Sequence, residues 1–574
     1  MSSYGKVDEN NQARLEARRR TRKRITIIAV SSVVLACTVI GIIAGTTTHG
    51  GKKSPENNAG SISASVKALC NVTLYQERCF QSLSSAANSS SLSPEELFTL
   101  AVKITVKELS EALKRFSDEK SGGKGGNSTA MAAMGACREL LELAVEYLNE
   151  TAASSSSHND LTLPELVDDL RTWLSSVETY QETCIDALEK ATNEENPNLK
   201  MYGETHLKNS TESASNALAI ITWLGKIAKS MNLRRRLLTT KVDSEDEEMA
   251  FLGRRLLQST TDLRKIANIV VAKDGSGKYK TLSRALEDVP EKSTKRTIIY
   301  VKKGTYVENV RVEKNKWNVV MVGDGQGRTV VSFGLNFVDG TPTFKTATFA
   351  VFGKGFMARD MSFRNTAGPS KHQAVALMVS ADLAAFYRCT MDAYQDTLYV
   401  HAQRQFYREC TVLGTVDFIF GNSAVVLQNC FILPRRPMDG QENTITAQGR
   451  TDPNQNTGIS IHNCKISPFG NLSGVQTFLG RPWKDFSTTV YLESFMNEFV
   501  NPKGWLPWTG DSAPSTIFYG EYKNFGGGAS TRKRVNWKGL RFIGTKEANR
   551  FSVRTFVQGP KWLPASGVPF KSAV

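Results

Sequence analysis

Two aspartates recur in one phase. Phe386-Tyr387-Arg388-Cys389 is followed seven residues after its cysteine by Asp396, and Phe406-Tyr407-Arg408-Glu409-Cys410 is followed seven residues after its cysteine by Asp417. If these segments are successive turns of a stacked structure, the carboxylates are vertical neighbours about 4.8 Å apart. Like charges at that spacing resist ionising together, so one carboxyl keeps its proton near neutral pH. An acid beside a base or nucleophile is the equipment of a hydrolase. Tyr399 and Phe420 each lie three residues after the aspartates. Gln395 adjoins Asp396, and Gln373, about one coil earlier, takes the place that Gln395 takes in the next coil. Two carboxylates, two carboxamides and two aromatics therefore gather on one face. Competing machinery is missing from the sequence. There is no G-x4-G-K-[ST] phosphate loop, no G-x-S-x-G elbow, no C-x2-C pair and no carboxylate cluster for a metal. His372, His401 and His462 sit in no triad-like motif. The reading calls for no cofactor and no metal.

The elements that must hold this face are strands. From Ile269 onward helical periodicity vanishes, and short runs such as Thr297-Ile298-Ile299-Tyr300-Val301 alternate with Gly, Asn and Asp turns. Cys389, Cys410 and Cys430 each follow a strand-like run, as does Cys464, and the first three fall 21 and 20 residues apart. A period in the low twenties with short strands in each repeat is that of a solenoid, and the β-rich composition makes it an all-β, right-handed parallel β-helix over 259–574. Residues 61–228 read instead as all-α, an antiparallel four-helix bundle. Leu140, Leu141, Ala144, Val145 and Leu148 recur at helical spacing, as do Leu166, Leu170, Trp173, Leu174 and Val177. Ser93-Pro94-Glu95-Glu96 and Thr162-Leu163-Pro164-Glu165 are helix starts.

The net charge of +16 is unevenly distributed. Lys+Arg against Asp+Glu is 8 to 3 over 1–24, 23 to 29 over 25–260 and 41 to 24 from 261 onward. The acidic middle region is thus suited to associate with the basic final one, and is expected to cover its cleft as an autoinhibitory pro-region until the chain is cut; the basic region also suits a polyanion. Anionic polysaccharide fits that role, whereas nucleic acid finds no recognisable motif. Residues 1–24 form a basic tail expected in the cytosol, and 25–45 are long and apolar enough for an uncleaved transmembrane anchor, with a cleaved signal as the alternative. Residues 46–60 are a polar linker. The chain is thus expected to enter the secretory route as a membrane-held precursor and to act outside the cell. Sequons at Asn71, Asn88, Asn127, Asn149, Asn209 and Asn471 agree with that, as do four cysteines in each of the two folded regions. The charged stretch 229–258 holds Arg235-Arg236-Leu237-Leu238 and Arg254-Arg255-Leu256-Leu257, a repeated tetrapeptide expected to be cut by a processing protease.

Gly304-Thr305-Tyr306-Val307-Glu308, the Gln373 segment, Gln395-Asp396-Thr397-Leu398-Tyr399, Asp417-Phe418-Ile419-Phe420-Gly421 and Leu479-Gly480-Arg481-Pro482-Trp483 resemble, in order and spacing, five signature segments of plant pectin methylesterases. Cys70 and Cys79, with Ala136-Cys137-Arg138-Glu139-Leu140 and Thr183-Cys184, resemble the pectin methylesterase inhibitor domain that such enzymes carry as a pro-region. Gln76, and Asn524-Phe525-Gly526-Gly527-Gly528, depart from the usual patterns by lacking a proline. The resemblance implies an esterase that removes methyl groups from pectin, with Asp417 as nucleophile, Asp396 as proton donor and base, and Gln373 and Gln395 as oxyanion donors. It implies that Arg481 orients Asp417, that Trp483, Tyr399 and Phe420 stack on sugars, and that Thr343 contacts substrate. It also implies disulfides among Cys70, Cys79, Cys137 and Cys184 and between Cys410 and Cys430, although by coil spacing Cys389 is an equally good partner for Cys410. The implied partners are homogalacturonan, the chain's own pro-region and separate inhibitor proteins, and the implied site of action is the cell wall. A pectin glycosidase or lyase on the same solenoid, or a silent wall-binding protein, are the rival readings.

Overall fold

The computed structural model describes residues 65–87, 92–118, 128–156, 163–193, 196–238 and 262–574. The expected cytosolic tail, membrane anchor and first linker lie outside these residues. So do Asn88, Asn127 and the tetrapeptide Arg254-Arg255-Leu256-Leu257. Among the described residues no helix is long and apolar enough to cross a membrane. Residues 62–574 form one unit.

The N-terminal part of that unit is helical: α1 (Gln76–Ala86), α2 (Pro94–Asp118), α3 (Ser128–Ser156), α4 (Leu163–Ala191) and α5 (Leu199–Leu238). The four long helices close a ring in which α2 packs on α3, α3 on α4, α4 on α5 and α5 on α2. α2 opens with a reciprocal capping box: Glu96 N–H donates to Ser93 Oγ, and Ser93 N–H donates to the Glu96 carboxylate at 2.7 Å. Leu140, Leu141, Ala144 and Leu148 of α3 and Leu170, Leu174 and Val177 of α4 are fully buried, as their spacing foretold. Cys70–Cys79 and Cys137–Cys184 are disulfides, with Cα atoms 5.6 and 4.5 Å apart. One boundary moves. α5 continues to Leu238, so Arg235-Arg236-Leu237-Leu238 lies on the last turns of a helix and not in the linker expected from residue 229.

The C-terminal part is a parallel β-helix of three sheets, with eleven, eight and seven strands, in which every named strand pairing is parallel. From Met357–Arg359 onward, successive coils leave the eleven-stranded sheet through one residue with left-handed backbone. Asp360, Arg388, Glu409, Asn429, Asn463, Glu493 and Lys523 hold this place, with φ between 48° and 58°. The next residue points inward, which explains the cysteine period: Met361, Cys389, Cys410, Cys430 and Cys464 form one buried column. Cys389 N–H approaches Cys410 Sγ, and Cys430 N–H approaches Cys464 Sγ at 3.3 Å. All four are free thiols, so the expected Cys410–Cys430 disulfide is absent in this structure. The coil spacing that makes Cys430 a neighbour of Cys410 does the same for Cys389, and the stack favours neither pairing. Interior aromatics are layered in the same way, with Phe386 and Tyr407 stacked at 4.9 Å.

Candidate active site

The aspartates stand on adjacent rungs. The strands Leu398–Ala402 and Ile419–Gly421 pair with Leu398 on Ile419 and Tyr399 on Phe420, and Asp396 N–H donates to the Val416 carbonyl. Asp396 therefore lies over Asp417, and the rings of Tyr399 and Phe420 stack at 4.1 Å and 14°. Ala374 N–H donates to the Gln395 carbonyl in the same manner, which puts Gln373 over Gln395. Both aspartates have left-handed backbone, φ 62° for Asp396 and 51° for Asp417. Aspartate tolerates this conformation better than most residues, and such local cost is commonly concentrated at functional sites.

Asp417 is heavily partnered. Arg481 donates to both of its oxygens, from Nε at 2.8 Å and Nη2 at 2.6 Å. Thr444 Oγ1 donates to it at 2.6 Å while accepting from the Asp417 N–H. The strand Asn443–Gln448 pairs Thr446 with Ile419, so Thr444 occupies the next place in the aspartate row. The Arg481 guanidinium lies 4.4 Å over the Trp508 ring, which presses one of its faces and limits its swing. Trp483 closes the same corner, near Phe420 and Trp508. Gly449 makes room for it, since a Cβ there would come within 2.8 Å of the indole.

Asp396 has no such counter-charge in contact. Burial pushes its carboxyl up to about 8; Lys190 opposes that rise, Asp417 adds to it and Arg481 opposes it. The rise comes chiefly from desolvation and only secondarily from the neighbouring carboxylate. Gln373, Gln395, Asp396, Asp417, Arg481 and Thr343 converge on a cavity of about 180 Å³, with Gln373 Oε1 buried and without a hydrogen-bond partner. His401 and His462 take no part. His401 is buried between Thr183 and Ser380, and burial lowers its pKa to about 3. His462 contacts Glu493 and Gln428.

The cavity is roofed by α4 of the bundle through Thr183, Asp186, Ala187 and Lys190. Lys190 Nζ points in and lies 3.4 Å from Thr343 Oγ1. Beside it, Lys484 of the solenoid is clamped by Glu182 at 2.6 Å and Asp186 at 2.7 Å. Further along α4, Tyr180 OH meets Ser380, Thr179 accepts from Asn422, the Ser175 carbonyl accepts from Gln455, and Asp169 pairs with Arg404 at 2.7 Å. Every residue expected at the site, Thr343 included, is in it. Thr444, Trp508 and Lys190 were not foreseen, nor was it clear that α4 would be the helix of the acidic region to lie on the cleft. The signal for the last was present, because Thr172, Ser175, Ser176, Thr179 and Thr183 make a small polar stripe at helical spacing beside the apolar one.

The pectinesterase family model matches residues 268–560, and that of the plant invertase/pectin methylesterase inhibitor matches residues 64–220. The chain belongs to the pectinesterase family. Among its relatives is a protein of Arabidopsis thaliana that bears the name pectinesterase/pectinesterase inhibitor 24, 68% identical over 579 residues and covering 100% of both chains. Pectinesterase 3 of Phaseolus vulgaris is 44% identical, covering 100% of this chain and 98% of its own. The solved structure of pectin methylesterase from carrot aligns at TM-score 0.54 and 51% identity, covering 55% of this chain and 100% of its own. Pectinesterase and inhibitor-like halves thus share one chain, and the helical half lies on the catalytic cleft of the other.

Proposed function

We propose that the solenoid de-methyl-esterifies homogalacturonan, releasing methanol, and that the bundle is a tethered inhibitor of the same active site. The reading rests above all on one observation: Asp417, doubly bonded to Arg481, lies one rung from a buried Asp396 whose carboxyl burial pushes up to about 8. Asp417 attacks the C6 ester carbonyl and forms an acyl-enzyme anhydride. Gln373 and Gln395 turn amide hydrogens to the oxyanion, each contributing about 3 kcal/mol by comparison with other oxyanion holes. Asp396 gives its proton to the departing methoxide, then takes one from the water that hydrolyses the anhydride. Tyr399, Phe420 and Trp483 offer faces for sugar rings and Thr343 a polar contact. A polymer cannot reach these groups past α4, so activity requires the bundle to leave.

Release calls for a cut between the halves, and the two Arg-Arg-Leu-Leu sequences remain the candidate processing sites. Four sequon asparagines, Asn71, Asn149, Asn209 and Asn471, are exposed and open to glycosylation. Secretion to the cell wall from a membrane-held precursor completes the reading. Methanol release from methyl-esterified pectin without shortening of the polymer is the expected result for the solenoid domain; fragmentation of the chain would replace the esterase reading with a glycosidase or lyase.

A further inference from the structure

Near its C-terminal end the solenoid encloses an ion pair that takes no part in the proposed reaction. The side chains of Arg534 and Glu521 are 1% and 2% exposed. Arg534 donates to both Glu521 oxygens, from Nε at 2.9 Å and Nη2 at 3.1 Å, and also to the carbonyls of Pro502 and Gly528. Glu521 accepts in addition the indole N–H of Trp505 at 3.2 Å. Trp505 is fully buried, stacked on Tyr519 at 4.0 Å and edge-on to Tyr491. Gly504 lets the guanidinium pass, since a Cβ there would come within 2.4 Å of Arg534 Cδ.

The backbone of Trp505 leads from this pair to the cleft. The strand Thr477–Gly480 is the last of the seven-stranded sheet, and residues 504–506 lay one further rung on it. Leu479 N–H donates to the Gly504 carbonyl at 2.7 Å, Trp505 bridges Gly480 in parallel register, and Leu506 N–H donates to the Gly480 carbonyl at 3.1 Å. Arg481, which grips Asp417, follows Gly480 directly. Trp508, which covers the Arg481 guanidinium, stands two residues beyond Leu506. One short rung thus borders the strand that carries Arg481 and supplies its cover. Among the described residues no strand pairs with the far side of this rung, so its place is set from within, by Trp505. Closing a solenoid end needs only apolar bulk, and a buried ion pair is often no more stabilising than the apolar residues that could replace it. What the pair adds is direction: Glu521, fixed by a two-pronged guanidinium, accepts the indole N–H at one place only.

We propose that Glu521 and Arg534, acting through Trp505, are positioning residues for Arg481: they fix the rung 504–506 and with it the grip of Arg481 on Asp417. The inference rests on the esterase reading of the aspartate pair, in which Asp417 must be aimed at the ester carbonyl. A looser rung lets Arg481 swing and leaves Asp417 aimed for less of the time, so the loss falls on kcat and not on binding.

The test uses the solenoid domain, which the carrot enzyme, aligned along its whole length to 55% of this chain, marks as an independently folded unit. Trp505→Phe keeps a ring against Tyr519 and removes the N–H. Its kcat on methyl-esterified pectin should fall about tenfold, with KM changed by less than about twofold. Glu521→Gln should repeat that split at a larger cost in Tm; if too little of it folds, Trp505→Phe decides alone. In an Arg481→Gln background Trp505→Phe should cost nothing further, because the path through Arg481 is already cut. Ile299→Ala, a core change at the other end of the solenoid, is the control and should lower Tm while leaving kcat unchanged. Additive losses in the double variant, or a kcat for Trp505→Phe no lower than that for Ile299→Ala, overturn the proposal. A readout without turnover is solvent exchange of the Arg481 Nε–H, followed by ¹⁵N NMR and assigned by its loss in Arg481→Gln. Exchange should quicken about tenfold in Trp505→Phe, as a hydrogen bond to Asp417 opens more often. If the unaltered domain released no methanol, the esterase reading would fall, and this exchange rate would still decide the positioning role.

Discussion

The two halves of the molecule use the same chemical groups to opposite ends. In the bundle, four cysteines make two cross-links, each between helical segments; in the solenoid, four cysteines stand in one column and make none. Carboxylates divide in the same way. Those of the bundle, Glu139, Asp169, Glu182 and Asp186, reach across to cations of the solenoid. Those of the solenoid, Asp396 and Asp417, face each other and a cavity. A bundle has no internal repeat to fix where a side chain goes, so it depends on covalent ties and surface charge. A solenoid repeats its backbone at every rung, so a side chain's partner is set by register, and a catalytic pair can be built from two residues of like charge.

That contrast breaks first at Asp417. Asp417→Asn in the solenoid domain should lower kcat about 10⁴-fold or more while pectin is still bound, since the nucleophile is lost and the shape is kept. A drop of only tenfold in methanol release would remove Asp417 from the covalent step. The next largest effect belongs to the bundle. Cys184→Ser opens the 47-residue loop to Cys137 and should cost about 3–4 kcal/mol in chemical or thermal unfolding of the helical half. Reductant should reproduce the loss, and a bundle indifferent to reductant would contradict it.

The interface is sensitive to pH with a definite sign. Burial against the solenoid in the docked state raises Asp186 of α4 to about 6, against the opposing pull of Lys484 and with help from Glu182. The docked state therefore holds a proton that the separated state releases at the usual carboxylate range. Docking is strongest in acid and weakens as pH climbs through about 6, by at most on the order of a hundredfold from this group. Comparing the activity of the full chain with that of the isolated solenoid between pH 5 and pH 8 checks it; a ratio that falls with rising pH would reverse the sign. The smallest effect should come from Cys410→Ser, about 1 kcal/mol, because only a buried thiol is exchanged and no cross-link is opened. A loss comparable to that of Cys184→Ser would show that the column is oxidised after all.

How far the sequence reached follows from the same contrast. Asp396, Asp417, Tyr399 and Phe420 were legible because coils of nearly constant length kept their phase, and Gln373 followed from the coil before. Thr444 was not, because it stands in the same row as Asp417 but 27 residues later, beyond a longer loop. Trp508 was hidden for the same reason. In the bundle, the apolar stripes were plain, whereas the Ser/Thr stripe of α4 has meaning only once the surface it covers is known. The overrun of α5 to Leu238 went unread because Arg235-Arg236-Leu237-Leu238 looks like a charged linker by composition, and composition does not reveal where a helix stops. The Cys410–Cys430 pairing could not be read from spacing, since a ladder gives each cysteine two equal neighbours.

The loops of the solenoid are free to vary where its rungs are not. Between Cys389 and Cys410 the chain takes 21 residues, and between Cys430 and Cys464 it takes 34, yet in each case the later thiol receives the backbone N–H of the earlier cysteine. Much of the surplus lies between Gln448 and Gly458, where Asp452, Gln455 and Asn456 bind Ser215, Ser175 and Thr172 of the bundle. Beyond Gly449, which must stay small for Trp483, such a segment can be lengthened, shortened or exchanged without displacing a catalytic atom. A lineage built on this plan can revise which inhibitor it obeys as an addition to its edges, leaving the chemistry it performs untouched.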